Sequence, residues 1–263
     1  MKDHVLTHFR SSEAEAVKRL DEFARRANQS GRKLLTAFLT PRELEIAEMM
    51  AARNHVHVQS FGGFMQAERV RVIFHPFEEA DWENTTDHFE LACLSVVSAH
   101  REPLRHQDYL GALLGLGIQR NQVGDIVISK EPGIAFVFCV RQMALYFVDH
   151  YTHVGKVPIT VELLQRTPDL QDIVSILDEH VFTLKSLRLD ALVAHAFGYS
   201  RSNAITPIQT GKVQLNFSVC ADVTAEVAVG DVVSLRGEGR IRILSIDENT
   251  KSGRQFVRIG KYI

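Results

Sequence analysis

Three basic side chains lie beside helix and turn signals in or near the segment FGYSRSNAITPIQTGKVQLN, residues 197–216. Ser200 stands where a helix N-cap is expected, and Arg201 follows it in the first turn. Lys212 comes just past the predicted helix end, and Arg188 lies upstream. Free N–H groups and the positive end of the helix dipole favour a phosphate at a helix N-terminus. The segment therefore predicts a phosphate clamp, formed by Arg188, Arg201 and Lys212, that binds a nucleic-acid backbone.

Imidazole and thiol groups are the next candidates, since both can hold a metal. His55 and His57 alternate in HVHVQ and would share one strand face, but no further ligands stand at a recognisable spacing for zinc. Cys93, Cys139 and Cys220 are far apart, odd in number and set in apolar segments. We therefore expect a strand with two polar-facing histidines, three core thiols, and neither a metal nor a cofactor.

A polar cluster of Asp108, Asp125 and His106 near Arg120 is the remaining candidate for catalysis. Asp125 lies in VGDIV, where an aspartate more simply serves a turn before a strand. The sequence contains neither an H-E-x-x-H motif nor a recognisable Ser/His/Asp arrangement. The prediction is a protein without catalytic residues.

The charge of the chain is unevenly distributed, although the formal net charge is only −2. From Phe182 onward there are 11 Lys and Arg residues against 7 Asp and Glu residues, and the preceding residues hold 19 basic and 25 acidic ones. A segregated basic region is typical of a nucleic-acid surface, and a solvated basic face without a partner is the alternative. The N-terminus MKDHVLTHFR has no apolar run of the kind a signal peptide needs, so we expect a cytoplasmic protein.

Residues 1–80 are predicted to form a small α+β unit. Val17, Leu20, Ala24 and Ala27 recur with helical spacing, and Ser12 with Glu15 has the spacing of a capping box. A second box, Thr40 to Glu43, begins another helix with proline at its first position. Two strands are then expected around Gly62 and Gly63.

An acidic stretch from Glu78 to Asp87 is predicted to be a linker, and residues 81–168 are predicted to form a second unit. Their strand and helix patterns have the order βαββαβ, the ferredoxin-like or RNA-recognition arrangement, with a helix over residues 141–154. Gly111, Gly115 and Gly117 lack dinucleotide-loop spacing, and Gly117 is better explained as a helix C-terminal cap. The whole chain is therefore expected to be an α+β protein.

The strand PGIAFVFC partly matches the aromatic pattern of an RNA recognition motif. Gly133, Ala135, Phe136 and Val137 fit that pattern, but the basic residue and two aromatics are missing. Base stacking on this sheet is therefore the less favoured interpretation, and Phe136 and Phe138 are expected to be ordinary strand residues.

The clamp is expected on two consecutive helices of a third unit, residues 182–263. Leu189, Leu192, Val193 and Ala196 have helical spacing, and Gly198 ends that helix. The second helix starts at Ser200, and Pro207 should kink or shorten it.

These helices carry a resemblance to the alpha-L RNA-binding domain of ribosomal protein S-four type. It rests on Ser186-Leu187-Arg188-Leu189-Asp190, Ser200-Arg201-Ser202, Gly211-Lys212-Val213 and Asn216, followed by VAVGDVVSLRGEGRIRI. With DYLGALLGLGIQRNQVGDI and TKSGRQFVRIGKY, the chain is similar to the YlmH family along most of its length. The resemblance implies RNA contacts at Ser186, Arg188, Leu189, Asp190, Ser200, Arg201, Ser202, Asn203, Gly211, Lys212, Val213 and Asn216. The basic surface is expected to extend over Arg236, Arg240, Lys251 and Arg254, for which scattered solvated charges are the alternative.

The resemblance also implies a function. It indicates a non-catalytic chain that is expected to be a monomer. The chain is expected to bind rRNA and tRNA on the bacterial large ribosomal subunit, in quality control of stalled peptidyl-tRNA. Family members usually carry lysines where Asn203 and Gln209 stand here, so two phosphate contacts are expected to be missing. The alternatives are an RNA-modifying enzyme, suggested by the Arg188-Leu189-Asp190 match to pseudouridine synthases, and a protein-recruiting tether linked to cell division.

Overall fold

The computed structural model describes Phe9 and residues 13–77, 85–170, 177–247 and 253–262. Its contacts divide the chain into two compact units, residues 1–174 and 175–263. The described residues include no helix that is both long enough and apolar enough to cross a membrane. Helices and antiparallel sheets in both units give the α+β class that the sequence predicts.

The first part of unit 1 is two helices packed on a three-stranded sheet. Its elements are α1 (Ala14–Ser30), β1 (Leu34–Leu35), α2 (Pro41–Arg53), β2 (His57–Phe61) and β3 (Arg71–His75), with strand order β1-β3-β2. The four predicted apolar positions of α1 are all buried. The predicted capping box of α2 is present, because Thr40 and Glu43 bond each other's backbone N–H groups. The other predicted box cannot be assessed, since Ser12 lies outside the described residues.

The second part of unit 1 is a five-stranded sheet with two helices on one face. It comprises β4 (Leu91–Ser98), α3 (His106–Gly115), β5 (Val123–Ile128), β6 (Ile134–Val140), α4 (Ala144–His150), β7 (His153–Val154) and β8 (Val157–Leu163). The strand order is β5-β6-β4-β8-β7, and every pair is antiparallel. The predicted βαββαβ order is therefore present, with β7 added at the edge. Most of the predicted linker, residues 78–84, lies outside the described residues.

Two details of this sheet concern helix ends. Gly117 follows α3 with φ +80°, and its N–H bonds the Leu114 carbonyl, as expected of a C-terminal cap. The predicted helix over residues 141–154 was too long: α4 ends at His150, because His153 and Val154 pair with β8 in a hairpin. Hairpin pairing thus overrides the apolar spacing at the end of that segment.

The face of this sheet opposite α3 and α4 is covered by the first part of the unit. Phe138 of β6 is fully buried there, and its ring lies 5.0 Å from that of Phe64. Gly63 allows this approach, because a Cβ at Gly63 would lie 2.3 Å from the Phe138 ring. Arg71 of β3 also donates to the carbonyl oxygens of Phe89 and Glu90 beside β4. The two sheets of unit 1 therefore pack against each other through one buried apolar cluster.

Unit 2 is a six-stranded antiparallel sheet with two helices on one face. Its elements are β9 (Leu177–Leu184), α5 (Leu189–Ala196), α6 (Arg201–Gln209), β10 (Val213–Leu215), β11 (Ser218–Val219), β12 (Val232–Leu235), β13 (Gly239–Asp247) and β14 (Gln255–Tyr262). The order is β11-β10-β12-β13-β14-β9. Because side chains alternate along each strand, Val233, Ile241 and Ile259 face the helices and form the core with Leu192 and Ile208. The other face of the sheet lies away from α5 and α6.

Strand β9 pairs with β14 along all eight of its residues, from Leu177 opposite Tyr262 to Leu184 opposite Gln255. A unit that began at residue 182 would divide this strand. Starting at residue 175 adds Asp178 and Glu179, so the second unit has 11 basic and 9 acidic residues, and the first has 19 and 23. The charge asymmetry keeps its sign but is smaller than the sequence division at residue 182 indicates.

Candidate nucleic-acid interface

Helix α6 begins at the predicted cap. The Ser200 hydroxyl accepts a hydrogen bond from the Asn203 N–H at 3.2 Å, and it lies 3.0 Å from the Ser202 hydroxyl. Ser200, Arg201, Ser202 and Asn203 are all exposed. The first turn of α6 thus presents hydroxyl, amide and guanidinium groups to solvent, beside the positive end of the helix dipole.

A buried carboxylate joins this turn to the start of α5. Asp190 is 4% exposed, and it accepts hydrogen bonds from Arg188 Nε at 3.1 Å and Nη2 at 3.2 Å. It also accepts from Arg201 Nε at 3.2 Å and from the Ala191 N–H at 2.9 Å. The structure therefore brings Arg188 and Arg201 together around Asp190, an arrangement that we call the arginine pair.

The pKa of Asp190 shows which effect prevails in this cluster. Burial raises the pKa of the Asp190 carboxyl, whereas hydrogen bonds from Arg201 and Arg188 lower it, and the net result is a pKa below the ordinary value. The carboxyl is therefore ionised at neutral pH. Two guanidinium charges and one carboxylate charge leave the cluster with a single net positive charge.

The two arginines differ in what they present to a ligand. Arg188 donates two hydrogen bonds to Asp190, from Nε and Nη2, whereas Arg201 donates one, from Nε. The Arg188 side chain is 37% exposed and the Arg201 side chain is 58% exposed. A guanidinium carries five N–H donors in a fork that matches phosphate. Arg201 is consequently the better placed of the two for a phosphate, and Arg188 contributes more to holding Asp190.

Lys212 lies at the other end of α6 from the arginine pair, just past the end of the helix, as the sequence predicts. The nine residues of α6 separate its ends by about 12 Å at a rise of about 1.5 Å per residue. Gly211 makes the turn with φ +72°, and Lys212 is exposed beside Arg236, whose N–H bonds the Lys212 carbonyl at 3.0 Å. The cations at the two ends of α6 form two separate groups.

Several residues that the resemblance assigned to RNA have structural contacts within unit 2. Leu189 and Val213 are fully buried, so their side chains cannot contact RNA and that assignment is corrected. The side-chain amide of Asn216 donates to Asp231 at 2.8 Å and accepts from the Val232 N–H at 2.9 Å, so it fixes a turn. Ser186 is half-buried between β9 and α5.

The remaining basic candidates are dispersed along the sheet. Arg240 of β13 stacks over the rings of Phe217 and Tyr262, at 5.2 and 5.3 Å from their centroids. Arg254 donates to the Thr183 carbonyl at 3.1 Å and thereby links β14 to β9. Lys251 lies outside the described residues. The sequence analysis did not identify Phe217 as a candidate. The pattern that could have identified it is a bulky residue after Asn in a two-residue hairpin turn.

The aromatic face of the middle sheet is not available for base stacking. Phe138 is fully buried, and Phe136 packs partly buried in the same apolar cluster as Phe38 and Phe61. The interpretation of both phenylalanines as ordinary strand residues is therefore confirmed. Covering by the first part of unit 1 is a tertiary contact that the strand pattern does not reveal.

The metal and catalytic candidates have structural roles. His57 is in β2, but His55 precedes that strand with φ +53°, so the expected alternation of both histidines on the strand was wrong. His57 stacks on His75 instead. Within the described ranges, no three His, Cys, Asp or Glu residues are grouped so that they could hold a metal ion. The three cysteines are free and buried, as expected, and burial raises the pKa of Cys93 and of Cys139 to about 12.

The polar cluster also has structural contacts. Asp125 lies in β5, where burial raises its pKa to about 6 with a further contribution from Glu68, and it accepts the N–H groups of Glu68 and Arg69. The Asp108 carboxylate accepts a hydrogen bond from the backbone N–H of Arg105 and so caps the N-terminus of α3. Arg120 donates to the Gly124 carbonyl. Asp125 therefore links β5 to the segment between β2 and β3, and it lies in the strand and not in the turn that the sequence suggested.

Comparison with known proteins places this chain in a family. Residues 85–167 match a family model described as "Putative RNA-binding domain in YlmH", and residues 12–78 match one described as "YlmH, N-terminal". The chain is 33% identical over 258 residues to "Ribosome-associated protein quality control protein P2" of Bacillus subtilis (strain 168), with 94% of each chain covered.

A solved structure, "Cell division protein ylmH from Streptococcus pneumoniae", has a TM-score of 0.52 at 22% identity and covers 64% of this chain and 98% of that one. Identity at this level shows a shared fold. The relative at 33% identity extends over nearly the whole chain, and two family models match successive segments. The chain therefore belongs to the YlmH family.

Proposed function

We propose that this chain is a non-catalytic RNA-binding factor of ribosome-associated quality control. Its ligands are rRNA and tRNA of a large subunit that still holds peptidyl-tRNA, and it works in the cytoplasm with the ribosome. The observation that carries the proposal is the arginine pair, in which one buried carboxylate fixes Arg188 and Arg201 beside the capped N-terminus of α6. The name of the Bacillus subtilis relative supports the ribosomal setting.

The geometry suits phosphate better than a small substrate. Arg201 and the first-turn groups of α6 are exposed, and a helix N-terminus with an adjacent guanidinium favours an anion. Lys212 and Arg236 at the far end of α6 offer positive charge about 12 Å away. The two groups of cations can therefore contact different phosphates of one RNA.

The position of Asp190 supports a binding role over pseudouridine-synthase-like catalysis. A catalytic aspartate must reach its substrate, whereas Asp190 is buried and accepts hydrogen bonds from both arginines and from a backbone N–H. Its carboxylate is occupied by the groups that it positions. The resemblance of Arg188-Leu189-Asp190 to that enzyme motif thus concerns residue types and not their arrangement.

The proposal is tested by sucrose-gradient fractionation of cells that express the full-length protein. We expect the wild type to travel with large subunits, and Arg201→Ala to shift toward the free fraction because it removes the most exposed donor of the arginine pair. In purified form, Arg201→Ala should also reduce the slope of log affinity against log salt by about 0.7–0.9 for the lost phosphate contact. Asn203→Lys, which adds a cation to the same turn, should change both quantities in the opposite direction.

Arg25→Ala is the matched control, because Arg25 is also an exposed, ion-paired arginine but lies on α1. It should sediment with the wild type. Absence of the wild-type protein from ribosomal fractions would contradict the ribosomal setting. Unchanged salt slopes in both Arg201→Ala and Asn203→Lys would show that the first turn of α6 does not face RNA.

A further inference from the structure

A strained turn presents an aromatic ring at the edge of the C-terminal sheet. Asn216 and Phe217 form the two-residue connection between β10 and β11, and their φ angles are +49° and +64°. Two-residue hairpin turns with positive φ at both positions favour Asn followed by Gly. Phenylalanine in this left-handed region is strained, and such strain persists only where the surrounding structure holds it.

The neighbouring turn fixes this conformation. The Asn216 amide donates to Asp231 Oδ1 and accepts from the Val232 N–H, while Asp231 Oδ2 accepts from the Ala228 N–H. The Asn216 backbone N–H also bonds the Val232 carbonyl at 2.8 Å. These hydrogen bonds hold the backbone of the turn from which the Phe217 ring projects, and none of them involves the ring itself.

Phe217 belongs to a stack on the outer face of the sheet, opposite α5 and α6. Arg240 lies over Phe217 at 5.2 Å and over Tyr262 at 5.3 Å. Strand register explains the contact, because Ser234 pairs with Arg240 and Ile241 pairs with Lys261, which places Arg240 beside Tyr262. Ile241 faces the core, so Arg240 points outward. We call Phe217, Arg240 and Tyr262 the outer-face platform.

The rest of this face carries charge and exposed apolar area. Arg242 and Arg258 alternate to the same side as Arg240 and Tyr262, and Arg258 pairs with Glu179. Phe256 is 42% exposed and Val181 is 57% exposed on the same side. Sheets that bind single-stranded nucleic acid combine aromatic rings for bases with cations for the backbone. The face is chemically complementary to such a strand.

We propose that the outer-face platform stacks an unpaired base of RNA, with Arg242 and Arg258 as cations for the adjacent phosphates. This inference rests on the proposed RNA-binding function and extends it from phosphate contacts at α6 to a base contact on the opposite face of the same unit. In this proposal the ring of the strained Phe217 supplies part of the stacking surface. The base is recognised by its π-face, so the contact tolerates different base identities.

Phe217→Gly is the decisive variant. Glycine adopts positive φ without strain, so this variant removes the ring while leaving the turn at least as stable as before. The full-length protein is titrated onto a short RNA duplex with a single-stranded tail that contains 2-aminopurine, and onto the blunt duplex. Wild-type protein should quench the 2-aminopurine fluorescence and bind the tailed RNA more tightly.

Loss of one base stack corresponds to about a 5- to 140-fold loss of affinity for the tailed RNA. Phe217→Gly should show this loss together with the loss of quenching, but its salt slope should stay unchanged. Phe217→Tyr should retain both, and Tyr262→Leu should reduce both. Phe77→Ser, which removes an aromatic side chain that is 46% exposed in unit 1, is the control and should behave as the wild type.

The outcomes separate the two proposals. Equal quenching and affinity in Phe217→Gly and wild type would overturn the platform and leave the arginine pair standing. A wild-type protein that binds neither RNA would overturn both. If Phe217→Gly left RNA binding unchanged but released the protein from ribosomes, the face would bind a protein and the base-stacking proposal would fail.

Discussion

At the residue scale, Asp190 determines how the candidate interface is built. Its carboxylate is the common acceptor for the Arg188 and Arg201 side chains. Arg188 lies two positions before Asp190, whereas Arg201 lies eleven positions after it, on the next helix. Hydrogen bonds to a charged partner are short-range and orienting. The positions of the arginines therefore depend on Asp190 as much as their charge does.

We predict that Asp190→Asn lowers the free energy of unfolding by about 1–3 kcal/mol, because an amide cannot replace the charge-assisted hydrogen bonds. RNA affinity should fall although the variant gains a positive charge, since the arginines lose their fixed positions. Urea unfolding and fluorescence anisotropy measure the two effects. Asp178→Asn makes the same charge change at an exposed side chain of β9 and is the control. Tighter RNA binding by Asp190→Asn would show that charge alone sets affinity.

The lowered pKa of Asp190 gives this prediction a pH dependence. A carboxyl whose folded-state pKa lies below its unfolded value contributes stability above the unfolded value of about 3.9, and this contribution is lost as pH falls through the folded value. The difference in stability between wild type and Asp190→Asn should accordingly be constant near neutral pH and shrink in strongly acidic solution. Urea unfolding of both proteins across that range measures it.

At the element scale, α6 continues past Pro207 to Gln209. The Thr210 N–H bonds the Thr206 carbonyl at 2.9 Å, so helical hydrogen bonding resumes beyond the proline. The prediction that Pro207 shortens or kinks the helix considered only the N–H that proline lacks and the clash of its ring with the preceding turn. Burial of Ala204 and Ile208 against the sheet holds the helix together through that position.

Replacing Pro207 tests how far this proline lowers the free energy of unfolding. Pro207→Ala restores an N–H for the Asn203 carbonyl and should raise the free energy of unfolding by about 1–3 kcal/mol. RNA affinity should change little, because Arg201 precedes the altered turn. Chemical denaturation gives the stability, and Gln209→Ala, an exposed change at the end of α6, is the control. If Pro207→Ala were no more stable than the wild type, helical hydrogen bonding would not continue through position 207, and α6 would be better described as two short turns.

At the scale of the whole molecule, the two compact units differ in net charge and in the groups that they could offer to RNA. Unit 2 contains the arginine pair and the outer-face platform, whereas the covered sheet in unit 1 has its aromatic residues buried. Strand β9 belongs to unit 2 by its pairing with β14. An isolated fragment must therefore include β9 to keep the sheet intact.

We predict that residues 175–263 bind RNA by themselves and that residues 1–174, with 19 basic and 23 acidic residues, bind more weakly at the same salt. A fragment of residues 182–263 should melt at a lower temperature than 175–263, because it lacks the part of β9 that precedes Phe182. Thermal unfolding and anisotropy measure both differences. Equal affinity of 1–174 and 175–263 would place an RNA surface in unit 1.

The sequence by itself determined the local features of this protein. Helical spacing and caps set α1, α2, α5 and the start of α6, since these depend on residues a few positions apart. The βαββαβ order followed from strand and helix periods, and the motifs around Arg188 and Arg201 indicated the family.

Tertiary structure decided what depends on residues far apart in the chain. It covered Phe138 with Phe64 and buried Asp190 between two arginines. It also placed Arg240 between Phe217 and Tyr262 through the register of neighbouring strands. Periodicity shows which face of an element is apolar, but burial, pairing and charge neutralisation depend on which other element packs against that face.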